Sequence, residues 1–427
     1  MSMQAAVSAG ILDRVRIARA ADWLAVAVAV SLPWSTSASG VLIALWLVAV
    51  IPTLDLTSLR RALAMPAAAI PAALVLLGLV GMTWADASFA EKFGSFKPFL
   101  RLLIFPLLFI QFRNSDRGMW VVAAFLVSCT GVLALSWLLA IFPDLSWRTV
   151  GPLAVPVKDY IIQSGEFLLC AFALTHLAIS AWQGDRRRQA LAFALLAFAF
   201  LTNIVYVATA RSTVVIFAAL LPVLAFQRFE WKRALVSIAV GVVLAAVAWN
   251  SSPYLRGRVL AVEQEIQQYQ TENQGTSSGW RLEFWKKSIR FIADAPLFGH
   301  GTGSVMGLFR NAATGESGPS ASVTDQPHNQ TLIIAIQLGL LGTALLFAMW
   351  LSHLLLFRVG ALVTWLGTGV VVQSIVACLF NSYLFEFTLG WIYIFGVGVL
   401  GGMVLRHKGR AAGKDPDSAV ARGDEGR

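Results

Sequence analysis

Apolar runs of about twenty residues, separated by short polar connections, repeat along most of this chain. A helix needs about 20 mostly apolar residues to cross a bilayer. On that measure about twelve spans are predicted, at roughly 15–32, 37–53, 64–82, 97–112, 118–142, 160–182, 189–207, 212–227, 233–250, 329–350, 360–379 and 386–405. The alternation fails once. Residues 251–328 form the one long polar segment, which runs straight into an apolar span through Asp325-Gln326-Pro327-His328-Asn329-Gln330. Four regions follow: 1–250 with nine spans, 251–328 as one long external segment, 329–406 with three spans, and a polar tail at 407–427 expected to be disordered.

Composition agrees with the periodicity. Of 427 residues, 57% are hydrophobic and only 13% charged, and mean hydropathy is +0.71. A soluble chain of this length needs more charge to cover its surface, so the expected class is an all-α polytopic membrane protein. Charge placement sets the orientation. Connections on one side hold Arg14, Arg16, Arg19, Arg60, Arg61, Arg113, Arg117, Arg186, Arg187, Arg188, Arg228, Lys232, Arg233, Arg358, Arg406, Lys408 and Arg410. The short connections opposite hold only Lys92, Lys97, Arg148, Lys158 and Arg211. The positive-inside rule then puts both termini in the cytoplasm and residues 251–328 outside. That segment balances seven cations with seven anions, so the net charge of +10 belongs to the cytoplasmic rim and implies no nucleic acid partner. Cys129, Cys170 and Cys378 all fall inside predicted spans, so no disulfide framework is implied.

The external segment is expected to be mostly helical. Ser252-Pro253 reads as the capped start of one helix. A second is predicted from about Trp280 to Ala293, with Ser278 as its cap and Pro296 as its stop; Arg281, Trp285, Ser288 and Ile292 share one face. The glycine cluster Gly299-His300-Gly301-Thr302-Gly303 lacks the lysine of a phosphate-binding loop and reads as a tight turn. Residues 311–325 hold too little apolar content to pack and form a candidate lid. Lys286, Lys287 and Arg290 read as solvated helix surface.

Three residues carry candidate chemistry. His328, at the outer membrane edge beside Asn329 and three residues after Asp325, suits a general base near neutral pH; a helix-capping or interfacial histidine is the plainer reading. Arg211 lies in Thr209-Ala210-Arg211-Ser212-Thr213, a turn too short to leave the membrane surface. A cation at that depth is costly unless paired, and its fork matches phosphate oxygens, with the Ser212 and Thr213 hydroxyls as added donors. Snorkelling to lipid headgroups is the alternative, and Glu166 and Glu386 are candidate partners within the chain. Arg281 opens the second loop helix, an unfavourable end for a cation, on the face of Trp285. Lys97 and Arg101 are placed to attract an anionic headgroup, or to anchor at the interface. No His/Cys pair has metal-ligand spacing, and the first external connection, 32–38, has no acid; no metal and no cofactor are expected.

Together these elements resemble the O-antigen ligase and polymerase superfamily. Thr209–Thr213 is similar to its small-residue, Arg, Ser/Thr turn. Arg281-x-x-x-Trp285 followed by Pro296-Leu297-Phe298-Gly299-x-Gly301-x-Gly303 is similar to its loop signature. His328-Asn329-Gln330-Thr331-Leu332, with Gly339 and Gly342, resembles its His-Asn motif, and Thr83-Trp84-Ala85-Asp86 is a looser match. The resemblance implies a GT-C-like glycosyltransferase of the bacterial inner membrane, with its active site on the periplasmic side. The donor would be a glycan on undecaprenyl pyrophosphate. Arg211 and Arg281 would grip the pyrophosphate, His328 would activate the acceptor, and Ser212, Thr213, Trp285, Asn329, Lys97 and Arg101 would bind substrate. A ligase uses a sugar hydroxyl of lipid A–core as acceptor, whereas a polymerase uses another lipid-linked repeat. The single dominant external segment, beside a short 143–160 connection, favours the ligase. A flippase would instead need charged residues through the span middles, which are almost uncharged. A monomer is compatible with this reading.

Overall fold

The structure, a computed structural model, describes residues 3–147, 154–272 and 274–411. Arg148 and the tail beyond 411 lie outside the described residues. Among those described, every regular element is helical. Helices α1 (Met3–Ser31) and α2 (Thr36–Val50) pack together, with Ser35 capping α2 through the Ala38 N–H. The short α3 (Leu56–Leu63) turns by 88° into α4 (Pro66–Gly81). Next, α5 (Phe89–Phe96), a 3-10 stretch over Lys97–Leu103 and α6 (Ile104–Asn114) continue as one span of 26 residues. Then come α7 (Gly118–Ile141), α8 (Tyr160–Gln183), α9 (Arg187–Tyr206), α10 (Arg211–Arg228) and α11 (Trp231–Ser251). The polar segment folds as α12 (Pro253–Glu272), α13 (Ser277–Asp294) and α14 (Val305–Ala313). Finally α15 (Gln330–Leu356), α16 (Leu362–Cys378) and α17 (Phe387–Ala411) close the bundle.

Among the described residues, nine helices are long and apolar enough to cross a membrane, or ten if the bent α3–α4 pair is one span. The protein is a multi-pass membrane protein. The two other expected spans correspond to α1, which carries Arg14, Arg16, Arg19 and Asp22, and to α16. At 17 residues, α16 spans about 25 Å, short of the roughly 30 Å hydrocarbon core. Helix α17 runs to Ala411, so residues 407–411 are helical and the polar tail begins later than expected.

Burial ranks the helices by position. Most of α8 and α17 is buried, whereas only Ala234 and Gly241 of α11 are. The sequence of α17 explains its central place. Gly398 and Gly402, four residues apart, let it approach α6 closely; a Cβ on Gly402 would sit 2.7 Å from that of Phe112. Small residues at this spacing are how membrane helices gain contact without a hydrophobic drive between them.

One membrane helix is broken, and the break positions the site. Within α15, Gly339 has φ 60° and ψ −155°. The break frees the Ile336 and Gln337 carbonyls and the Leu340 and Leu341 N–H groups. Each is taken up by the glycine-rich connection: His300 N–H donates to Ile336 (2.8 Å) and Gly301 N–H to Gln337 (2.9 Å), while Leu340 donates to Pro296 (2.8 Å) and Leu341 to Leu297 (3.3 Å). Gly303 N–H reaches the Gln337 side chain and Thr302 N–H reaches Gly81 at the end of α4. The cluster is therefore more than a tight turn. It replaces the missing helical hydrogen bonds at membrane depth, where unsatisfied backbone is not tolerated.

The polar segment differs from expectation in three further ways. The cap of α13 is Thr276, which accepts from Gly279 N–H; Ser278 bonds elsewhere. Lys287 is buried, 6% exposed, and donates to the Ala312 and Ser320 carbonyls, so it is no solvated surface charge. Residues 311–325 are anchored at one point, where Pro319 is buried in a 3-10 turn over Gly318–Ala321 and Lys287 donates to the Ser320 carbonyl, while 314–318 stay exposed.

Candidate active site

His328 sits at the junction of three elements, one residue before the cap of α15. Its backbone is left-handed, φ 54°, which few non-glycine residues adopt. Several contacts hold it there. The Trp285 indole N–H of α13 donates to the Pro327 carbonyl at 3.0 Å. Phe284 stacks against the imidazole at a centroid distance of 6.2 Å. Asn329 caps α15, accepting from Thr331 and Leu332 N–H, and its amide donates to the Leu379 carbonyl at 3.0 Å. Those three bonds fix the backbone beside His328 and leave one amide hydrogen of Asn329 available. Trp285 likewise acts here on protein, through Pro327.

The imidazole Nδ1 lies 3.0 Å from Asn381 Oδ1. That oxygen also accepts the Ser382 N–H at 2.9 Å, which fixes which end of the amide faces the histidine. An amide oxygen only accepts, so Nδ1 carries the hydrogen and Nε2 is left with a lone pair. Burial holds the His328 pKa below its usual 6.5 against the opposing Asn381 hydrogen bond, with Arg281 adding to the lowering and Asp325 opposing it. The neutral, proton-accepting form is favoured at pH 7. Asn381, in the turn between α16 and α17, was not singled out from the sequence. It lies fifty-three residues beyond His328, with no local pattern to mark it.

Tyr383, in the same turn, is 5% exposed and lies within reach of the Ser212 and Asn381 side chains; burial pushes its hydroxyl well above the usual range. Arg281 acts on both Tyr383 and His328 electrostatically. Half-buried, it makes no ion pair among the described residues. Ser212, Thr213, Tyr383 and Gln373 line one cleft. Thr213 is buried, its hydroxyl 2.9 Å from that of Ser164 on α8, so it ties two helices beneath that cleft.

Arg211 opens α10 and is joined to the same region by Ser278, three residues before Arg281. Its guanidinium makes a bidentate pair with Glu265 of α12 (2.9 and 2.5 Å), donates to Ser278 Oγ at 3.0 Å, and through Nε reaches the Arg258 carbonyl at 2.8 Å. The expected partners Glu166 and Glu386 are occupied elsewhere. Glu166 lies 4.0 Å from Lys158, and Glu386 accepts the Leu389 N–H. Glu265 was overlooked because it is one of several acids on an exposed helix, and only the fold of α12 over α10 selects it. Its carboxyl is held down to about 2, chiefly by Arg211 and then by Ser278. A third arginine, Arg258, lies over the Tyr160 ring at 4.7 Å without an acidic partner among the described residues.

The remaining two candidates stand apart. Arg101 donates to the Phe385 and Glu386 carbonyls (3.2 and 2.8 Å) and lies over Phe387 and Trp391, so it braces the turn that carries Asn381 and Tyr383. Lys97 is exposed at the start of the 3-10 stretch and contacts none of these groups. Among the described residues no three His, Cys, Asp or Glu side chains gather as a metal set.

The site thus joins a neutral imidazole with a free nitrogen lone pair, one unpaired guanidinium, a second held by a carboxylate, and hydroxyls from α10 and the 379–387 turn. Such a set can accept a proton from an alcohol and neutralise a polyanion beside it. Comparison with known proteins agrees with this chemistry. No curated protein matches the chain. The family model described as O-antigen ligase matches residues 195–347, a stretch that includes Arg211, Glu265, Arg281, the glycine-rich connection, His328 and the break at Gly339. The chain is therefore a multi-pass membrane protein whose residues 195–347 match the family model described as O-antigen ligase.

Proposed function

We propose that this protein transfers a glycan from undecaprenyl pyrophosphate to a sugar hydroxyl of lipid A–core, on the periplasmic face of the bacterial inner membrane, without a metal and with inversion. The observation that carries this reading is the fixed tautomer of His328. With Nδ1–H committed to Asn381, Nε2 takes the acceptor proton as the sugar oxygen attacks the anomeric carbon. The anomeric C–O bond breaks, and its electron pair leaves with undecaprenyl pyrophosphate. Arg281, unpaired and within electrostatic reach of His328, meets that growing charge. Arg211 takes a second phosphoryl group by exchanging the Glu265 carboxylate for it, since carboxylate and phosphate offer a guanidinium fork the same two-oxygen geometry. Ser212 and Tyr383 line the cleft where the acceptor would enter. The ligase reading over the polymerase rests on the single large external segment.

The test is transfer in vitro with purified protein, lipid-linked donor, lipid A–core and a chelator. Wild type is expected to form the glycan–lipid A–core product, and His328→Ala to lose about 10²- to 10⁴-fold in rate while still folded. Undiminished turnover in His328→Ala would remove the base from the mechanism. Lengthening of lipid-linked glycan without use of lipid A–core would identify a polymerase instead.

A further inference from the structure

At the end of the bundle opposite His328, a second site is built from arginine alone. Helix α4 runs from the Gly81 carbonyl, bonded to Thr302 beside the site, to Pro66 about 24 Å away; α17 runs the same way, from the Asn381 turn to Arg406. Where they end, α3, α6 and α17 enclose an open cleft of roughly 790 Å³, counted with the solvent at its mouth. Arg61, Arg113 and Arg406 line it, one from each helix, with Ser58 and Asn114 as further polar groups. Its apolar wall includes Met65, Phe109, Ile110 and Leu405. Among the described residues no carboxylate lines it. None of the three arginines makes an ion pair or side-chain hydrogen bond among the described residues. Asp55, which feels Arg61 electrostatically, caps α3 through the Ser58 N–H at 2.7 Å. Three like charges around one space repel one another unless an anion lies between them.

A second observation concerns depth. The 88° bend between α3 and α4 lays α3 across the bundle end, with Leu56 and Leu63 exposed and Ala62 buried. A short amphipathic helix so placed marks the headgroup level of a bilayer. The cleft therefore opens where phosphates lie, and its apolar wall faces where acyl chains begin.

We propose that this cleft binds the phosphate-bearing headgroup of an anionic phospholipid in the leaflet at that end of the protein. Basic pockets between membrane helices at this level suit such headgroups, and guanidinium forks match phosphodiester oxygens. The charge bias of that rim predicts arginines there, but not their convergence on one acid-free cleft. The ligand differs from the lipid-linked substrate and lies on the other side of the bilayer, so the proposal is independent of the transferase reading.

The full chain in vesicle-derived nanodiscs of mixed phosphatidylglycerol and phosphatidylcholine, analysed by native mass spectrometry after partial delipidation, tests this. Wild type is expected to retain phosphatidylglycerol selectively. The Arg61→Gln/Arg113→Gln/Arg406→Gln variant is expected to lose affinity on the order of 100-fold, since each arginine at an anionic surface is worth roughly fivefold. The corresponding triple lysine variant keeps the charge and is expected to retain most of the binding, which separates charge from fold. Equal retention of both lipids by wild type overturns the proposal, and needs no variant. Equal phosphatidylglycerol retention by wild type and the glutamine variant also overturns it. Displacement of the lipid by millimolar inorganic phosphate would make this a site for a free anion and reject the lipid.

Discussion

The backbone of His328 adopts a left-handed conformation that costs of order 1 kcal/mol for most residues, and its surroundings hold it there. Asn381 then sets the tautomer, and burial favours the neutral form. This yields a pH prediction with a definite sign. As the proposed base the histidine acts unprotonated, and its pKa is lowered from 6.5, so the acid limb of kcat/KM is expected to inflect below pH 6.5, with activity kept above it. Asn381→Asp puts a carboxylate against the imidazole, stabilises its charged form and is expected to move the inflection upward. A limb that does not move would mean that some other group titrates. At Arg211 the question is whether the ion pair itself or the freed fork does the work. Glu265→Gln is expected to stay within about tenfold of wild-type turnover, while Arg211→Lys falls about 10²-fold, since an ammonium cannot make the forked contact. Equal collapse of both variants, in the same transfer assay, would assign Arg211 to tethering α12 and remove it from the diphosphate.

Among the elements, the glycine-rich connection and the break in α15 form one unit, because the hydrogen bonds that either loses are made by the other. Gly339 allows this by its positive φ and by the absence of a side chain against the Leu297 backbone. Gly339→Ala is expected to cost about 1–3 kcal/mol in left-handed strain, with further loss where the Leu297 contact opens. Unfolding in detergent measures the first, and faster hydrogen exchange over residues 296–303 reports the second. Wild-type exchange in that stretch would show that the connection stays docked without the break. The sequence marked Gly339 and the Gly299–Gly303 cluster separately, as parts of a family resemblance. Their pairing was not legible, because a broken helix and a tight turn look alike in hydropathy. Helix boundaries in the loop were close to expectation for α12 and α13, where capping and apolar spacing act locally. The cap of α13 shifted from Ser278 to Thr276 because Glu265 and Arg211 claim the Ser278 side chain.

On the scale of the whole molecule, the sequence by itself determined the class and the long polar segment between the apolar spans. Those properties follow from the cost of exposing backbone and charge to hydrocarbon, a cost that each stretch of chain meets on its own. It also marked Arg211 and His328, because a cation or imidazole at the lipid boundary is conspicuous without any partner in view, and Arg281, because a helix N-terminus disfavours a cation. The tertiary structure alone decided which groups they meet. Glu265 holds Arg211 from fifty-four residues away, Asn381 orients His328 from fifty-three, and Lys287 turns inward to anchor a stretch that composition left unpacked. Such choices depend on pair geometry between distant elements. A hydrogen bond falls away within an ångström of its best length, and no local periodicity encodes a distance of that kind.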